Sequence, residues 1–151
     1  MQYALTFTTT LVAAPADVWR RVATMPGVNA ELGPWVRMSF PAGASQLDAM
    51  SMPLGQAAFR SWVWFLGVIP IDRSDVTLVE LEPGRRFLER SPMATQHLWQ
   101  HERTLQPDGA GCMITDRLVF EPRFAGPIVC WFVRKLFNHR HARLATQFGR
   151  R

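Results

Sequence analysis

The stretch WQHERTLQPDGAGCMITDRLVF, residues 99–120, sets two alternating segments around the turn formers Pro107-Asp108-Gly109-Ala110, the pattern of a β-hairpin. If those four residues form the loop, Gln106 faces Gly111. His101 then lies opposite Asp116, Trp99 opposite Leu118 and His97 opposite Phe120. A three-residue loop would instead set Arg117 against His101 and send Asp116 to the other face with Glu102 and Gln100. The four-residue register is preferred because it groups Trp99, Leu118 and Phe120 on one side.

Working back from this hairpin, turn chemistry recurs at Gly67–Arg73, Glu82-Pro83-Gly84 and Ser91–Ala94, so Gly55–Phe120 reads as a meander of about five antiparallel strands. One of them, Ala58–Ile69, is apolar on both faces, with Phe59, Val63, Phe65 and Ile69 on one and Trp62, Trp64, Leu66 and Val68 on the other. A sheet with one wet face should alternate. Either a second copy covers the face of Trp62 and Trp64, as a homodimer, or a bulge near Gly67 turns these rings inward.

Before the meander, Tyr3, Leu5, Phe7 and Leu11 alternate with threonines as a strand ending near Ala13. Ala14-Pro15-Ala16-Asp17 then opens a helix whose apolar residues Val18, Trp19, Val22 and Met25 run to Pro26-Gly27, read as its stop. A second helical piece, Val28–Trp35, closes at Gly33-Pro34. A short strand Trp35–Phe40 precedes the loop Pro41–Pro53, which reads as mobile; composition leaves open whether it is a lid. After the meander, Pro127–Phe148 has no internal proline or glycine and carries Val129, Val133, Leu136, Phe137, Leu144 and Phe148 as one stripe of a long helix. The class is α+β, in the order β-α-α-β(5-6)-α.

Arg140 falls inside that apolar stripe, four residues after Leu136 and four before Leu144. A buried arginine needs a partner, and Asp116 with His101 beside it is the candidate; the alternative is a side chain that snorkels to the rim. An inward arginine would also make the net charge of +5 overstate what a partner meets at the surface.

Composition narrows the function. With 48% hydrophobic and 19% charged residues, the chain of 151 residues reads as one globular domain spanning 1–151. Ten Phe and six Trp against one Tyr suit a large apolar interior, solid or hollow. The basic pairs are short and dispersed, which argues against nucleic acid. Cys112 and Cys130 lack metal or disulfide-framework spacing, and His97 and His101 share a strand without a third ligand, so no metal and no cofactor are expected. Met1–Ala16 lacks the basic start of a secretion signal, and no apolar stretch approaches ~20 residues. A cytoplasmic protein without an integral membrane segment is the expectation.

The opening strand with Ala14-Pro15-Ala16-Asp17-Val18-Trp19, the Glu-Pro-Gly turn within Leu78–Phe87, Trp99-x-His101-x-Arg103, Thr115-Asp116-Arg117-Leu118-Val119-Phe120-x-Pro122 and Phe137-x-x-Arg140 together resemble the START-like (SRPBCC) superfamily. That superfamily includes polyketide cyclase/dehydratases, birch-pollen-allergen-like proteins and coenzyme Q-binding proteins. The resemblance spans nearly the whole chain. It implies a helix-grip fold, a curved antiparallel sheet of about 6–7 strands wrapped around the C-terminal helix with a hydrophobic cavity between. It also implies a small hydrophobic ligand, bound or transported, lined by Trp99, His101, Asp116, Leu118, Phe120, Phe65, Phe137 and Arg140. Cyclase or dehydratase chemistry through His101, Asp116 and Arg140 is the alternative, and a protein-interaction or coenzyme Q-binding-like module a third.

Overall fold

A computed structural model describes residues 1–45 and 54–150. Residues 46–53, most of the loop read as mobile, lie outside the described residues. The elements run β1 (Tyr3–Leu11), α1 (Pro15–Val22), α2 (Met25–Leu32), β2 (Val36–Met38), β3 (Ala57–Phe65), β4 (Ile69–Glu82), β5 (Arg86–Arg90), β6 (Gln96–Asp108), β7 (Gly111–Pro122) and α3 (Gly126–Phe148). The seven strands form one antiparallel sheet in the order β1-β7-β6-β5-β4-β3-β2, so the first strand returns to pair with the last. This is the helix-grip α+β architecture.

The β6–β7 hairpin is tighter than the sequence suggests. Asp108 pairs with Gly111, leaving a two-residue turn in which Gly109 takes φ 60°, the positive angle that primed hairpin turns require. His101 therefore faces Leu118, Trp99 faces Phe120, and Arg103 faces Asp116. The shift from the four-residue reading is two positions, so the side chains from Leu98 onward keep their faces. At the strand's start a bulge between Gln96 and Leu98 turns His97 outward, where Arg123 Nη1 lies 3.2 Å from it, and buries Gln96 instead.

Two local readings change for backbone reasons. Pro26-Gly27 does not stop a helix; it lies in the first turn of α2, where a missing N–H costs nothing, and the Thr24 hydroxyl accepts from the Gly27 amide at 3.0 Å. Ala58–Ile69 is not one strand. Leu66 and Gly67 both adopt positive φ, 54° and 73°, in a tight turn between β3 and β4 closed by Val68 N–H to the Phe65 carbonyl.

The interior is packed at one end and open at the other. At the packed end, α1 and the last turns of α3 press Val18, Trp19, Val22 and Leu144 against Leu11, Leu78, Leu105 and Ile114. Helix α2 sits so close to the end of α1 that a Cβ on Gly27 would lie 1.8 Å from the Arg21 carbonyl oxygen. Only glycine allows that approach. Gly27→Ala should lower unfolding stability by about 2–3 kcal/mol; a urea transition within 0.5 kcal/mol of wild type, about the scatter of neutral substitutions, would show that α2 does not need this seat.

Candidate functional site

Between the sheet and α3 lies a cavity of about 430 Å³, within the range of small-molecule sites. Its walls are mostly apolar side chains from α2, β2–β6 and α3. Of the residues expected to line it, Phe65, Trp99, His101, Phe137 and Arg140 do. Leu118, Phe120 and Asp116 do not. They are fully buried behind the wall, Phe120 stacking with Tyr3 and tilted against Trp99 at 5.7 Å.

The expected contact of Arg140 with Asp116 is replaced by another arrangement. Arg103, from the same strand face as His101, is wholly buried and fills both forks. Its Nε and Nη2 donate to Asp116 at 2.7 and 2.8 Å, while Nη1 and Nη2 donate to Glu31 of α2 at 2.9 and 2.8 Å. Arg140 donates from Nε to the other side of Glu31 Oε1 at 3.1 Å, with its guanidinium 4.7 Å from the Phe137 ring centre. Asp116 meets two imidazoles as well, His101 Nε2 at 2.7 Å and His141 Nε2 at 2.8 Å. An ionised carboxylate only accepts, so both imidazoles present N–H there. The Nδ1 of His141 is then left to accept from the Thr9 hydroxyl at 2.7 Å.

Burial alone would raise both carboxyl groups. The Arg103 charge and its hydrogen bonds win, holding Asp116 well below the usual carboxylate range with help from His101, and lowering Glu31 with help from Arg140. The two buried arginines are thus offset by two buried carboxylates. The net charge of +5 is consequently not reduced at the surface, contrary to the simpler reading of an inward arginine.

Glu31 and His141 escaped sequence reading although both interrupt apolar helix positions. Glu31 follows Val28 by three residues, and His141 follows Phe137 by four and precedes Leu144 by three. A signal was present, but no spacing rule says which distant carboxylate answers which arginine.

Two polar groups on the cavity wall are left over. Ser74 Oγ of β4 and Gln96 Oε1, aimed inward by the bulge, are buried without a hydrogen-bond partner among the described residues. Arg140 adds donors. Only its Nε is hydrogen-bonded among the described residues, which leaves its Nη groups without an acceptor there. His101 presents its ring to the cavity, with Nδ1 3.8 Å from Glu89. Among the described residues no cluster of His, Cys, Asp and Glu is arranged to hold a metal ion.

Removing Arg103 should strand two buried carboxylates. Arg103→Met is expected to cost about 3–5 kcal/mol in chemical unfolding. Because Glu31 and Asp116 have ordinary values of 4.5 and 3.8 and are lowered in the fold, their contribution is complete above about pH 5 and fades as pH falls through the lowered values. Wild-type stability should therefore drop on acidification below about pH 4.5, and more shallowly in Asp116→Asn. Equal acid slopes in the two proteins would contradict this assignment.

Sequence and structure comparisons place the chain. A family model described as a domain of unknown function, DUF8410, matches residues 9–148. No curated protein sequence matches. Among solved structures, protein CV1439 from Chromobacterium violaceum superposes with a TM-score of 0.73 at 15% identity, covering 98% of each chain. A START superfamily protein from Mycobacterium smegmatis gives 0.66 at 9% identity, covering 96% of each. A protein of the dynemicin biosynthetic locus, DynU16, gives 0.58 at 18%, covering 98% of this chain and 49% of its own length. The helix-grip architecture is that of START-like proteins, and the chain belongs to the DUF8410 family.

Proposed function

We propose that the chain, acting as one domain in the cytoplasm, binds a small, largely apolar molecule in the cavity between sheet and α3. The observation that carries this reading is the pairing of a 430 Å³ apolar space with unpartnered buried polar atoms on its wall. A buried hydroxyl or amide without a partner costs roughly 1–3 kcal/mol, so Ser74 Oγ and Gln96 Oε1 favour a ligand that brings hydrogen-bonding groups to them. Arg140 suits an acceptor on the ligand, a carbonyl or acid. The ligand is therefore amphipathic, with an apolar body among Phe65, Trp99, Phe132 and Phe137 and polar substituents at two places.

Native mass spectrometry of the purified protein should show a retained molecule, and a fluorescent naphthalene sulfonate should saturate at one site and be displaced by it. Val63→Trp, at a half-buried wall position, should weaken that probe at least tenfold while folding normally. Unchanged probe affinity in the filled variant would sink the binding reading.

A second reading, acid–base chemistry, is favoured by one observation: Asp116 grips His101 Nε2 at 2.7 Å while the ring lines the cavity. This orientation leaves Nδ1 to take a proton from a bound polyketide-like substrate. His101→Gln should then bind the retained molecule's precursor without converting it, seen as no change in bound mass where wild type changes it. Binding by both proteins with conversion by neither would leave binding as the whole function.

A further inference from the structure

The first two turns of α3, residues 126–133, are apolar all round. Val129, Phe132, Val133 and Leu136 point into the cavity, yet Phe124, Ile128 and Trp131 on the other side are 63%, 69% and 60% exposed. A helix that is hydrophobic on every side is normally covered. The turn between β3 and β4 shows the same anomaly, with Leu66, Val68 and Ile69 exposed and Ile71 partly so.

These groups form one rim. Phe65, at the base of the turn, contacts Phe132 of α3 with ring centres 6.1 Å apart, and Ile71, Phe124, Ile128 and Trp131 all border the same cavity. The Trp35 carbonyl accepts from the Leu66 amide at 2.8 Å, which brings exposed Trp35 to the edge of the rim. Contiguous apolar surface of this extent around a cavity mouth marks a docking surface.

Charge identifies the occupant. Residues 122–150 contain no Asp or Glu, and exposed Arg134 and Lys135 follow Trp131 by three and four residues, on its side of the helix. Arg123 and Arg37 are exposed nearby in the chain, beside Phe124 and Trp35. The closest carboxylates along the chain, Glu121 and Asp72, are half-buried, and Asp72 is engaged by Thr95. A second copy meeting the same face symmetrically would bring like charges together. A surface of aromatic and aliphatic groups flanked by uncompensated cations instead matches the boundary of an anionic bilayer.

We infer that this rim docks the protein peripherally on an anionic lipid surface, with Phe124, Ile128, Trp131 and the Leu66–Ile69 turn entering the headgroup boundary. Docking does not require an occupied cavity, so it stands apart from the ligand reading. No helix among the described residues is long and apolar enough to cross a membrane, and none is needed.

The test is co-sedimentation with vesicles of phosphatidylcholine, alone or with phosphatidylglycerol. Binding should be at least tenfold stronger to the mixed vesicles, weaken with added salt, and fall at least tenfold in the double variant Ile128→Asn/Trp131→Ser. Trp62→Ser, an exposed tryptophan outside the rim, should bind like wild type. All three substitutions lie on exposed positions, and thermal melting checks that the folds are equivalent. Failure of wild type to bind anionic vesicles overturns the inference, as does binding that the double variant leaves intact. A wild-type dimer that the double variant converts to monomer assigns the rim to a second copy and also overturns it.

Discussion

A guanidinium with no solvent exposure, that of Arg103, is the constraint around which the rest is arranged. Left alone in an apolar interior it would cost several kcal/mol, so the fold must bring carboxylates to it from elsewhere. Asp116 comes from the neighbouring strand and Glu31 from α2, far apart in the chain. Through Glu31 the charge reaches Arg140, and through Asp116 it reaches His141, so sheet, α2 and α3 are tied at one place. The fixed angles of the bidentate bonds make this an orienting device as much as a source of stability.

That junction also explains why the interior is not uniformly filled. One end of α3 packs on apolar residues from α1 and the sheet, and its middle is held by Glu31 and Asp116. Leu136 and Phe132 further toward its start then stand over β2–β4 with space beneath them. A helix fixed at two places along its length cannot settle into the hollow by pivoting. The question raised by ten Phe and six Trp has a divided answer, a solid core at one end and a space at the other.

Much of this was legible because strand and helix periodicities are robust to small errors. The β6–β7 turn was read two residues too long, yet Trp99, His101, Leu118 and Phe120 kept their common face because a shift of two preserves alternation. His97 was misplaced, since a bulge breaks the period and leaves no mark in the residue types around it. Arg140 stands out in an apolar stripe, a position that leaves burial and snorkelling both open, and it is buried. Its partner did not follow. Asp116 is the candidate that the hairpin offers, with His101 beside it, whereas Glu31 lies on a helix whose first turn, Pro26-Gly27, reads in the sequence as another helix's stop.

The division between the two walls of Asp116 bears on chemistry. Behind it, Arg103 and His141 supply three of the four hydrogen bonds that the carboxylate accepts; in front, His101 supplies the fourth and is the one member of that set whose ring reaches the cavity. Its hydrogen bond is one of four that Asp116 accepts and it helps Arg103, which Glu31 shares, to hold that carboxyl down, so His101 joins the buried network to the cavity wall. An imidazole placed there adds a titratable group to a wall that is otherwise largely aromatic and aliphatic. Arg140 adds a second polar group on the same wall through its other carboxylate, Glu31. The network thus sends two different polar groups, an imidazole and a guanidinium, into a single apolar space, and their separate carboxylate anchors fix the direction in which each faces it.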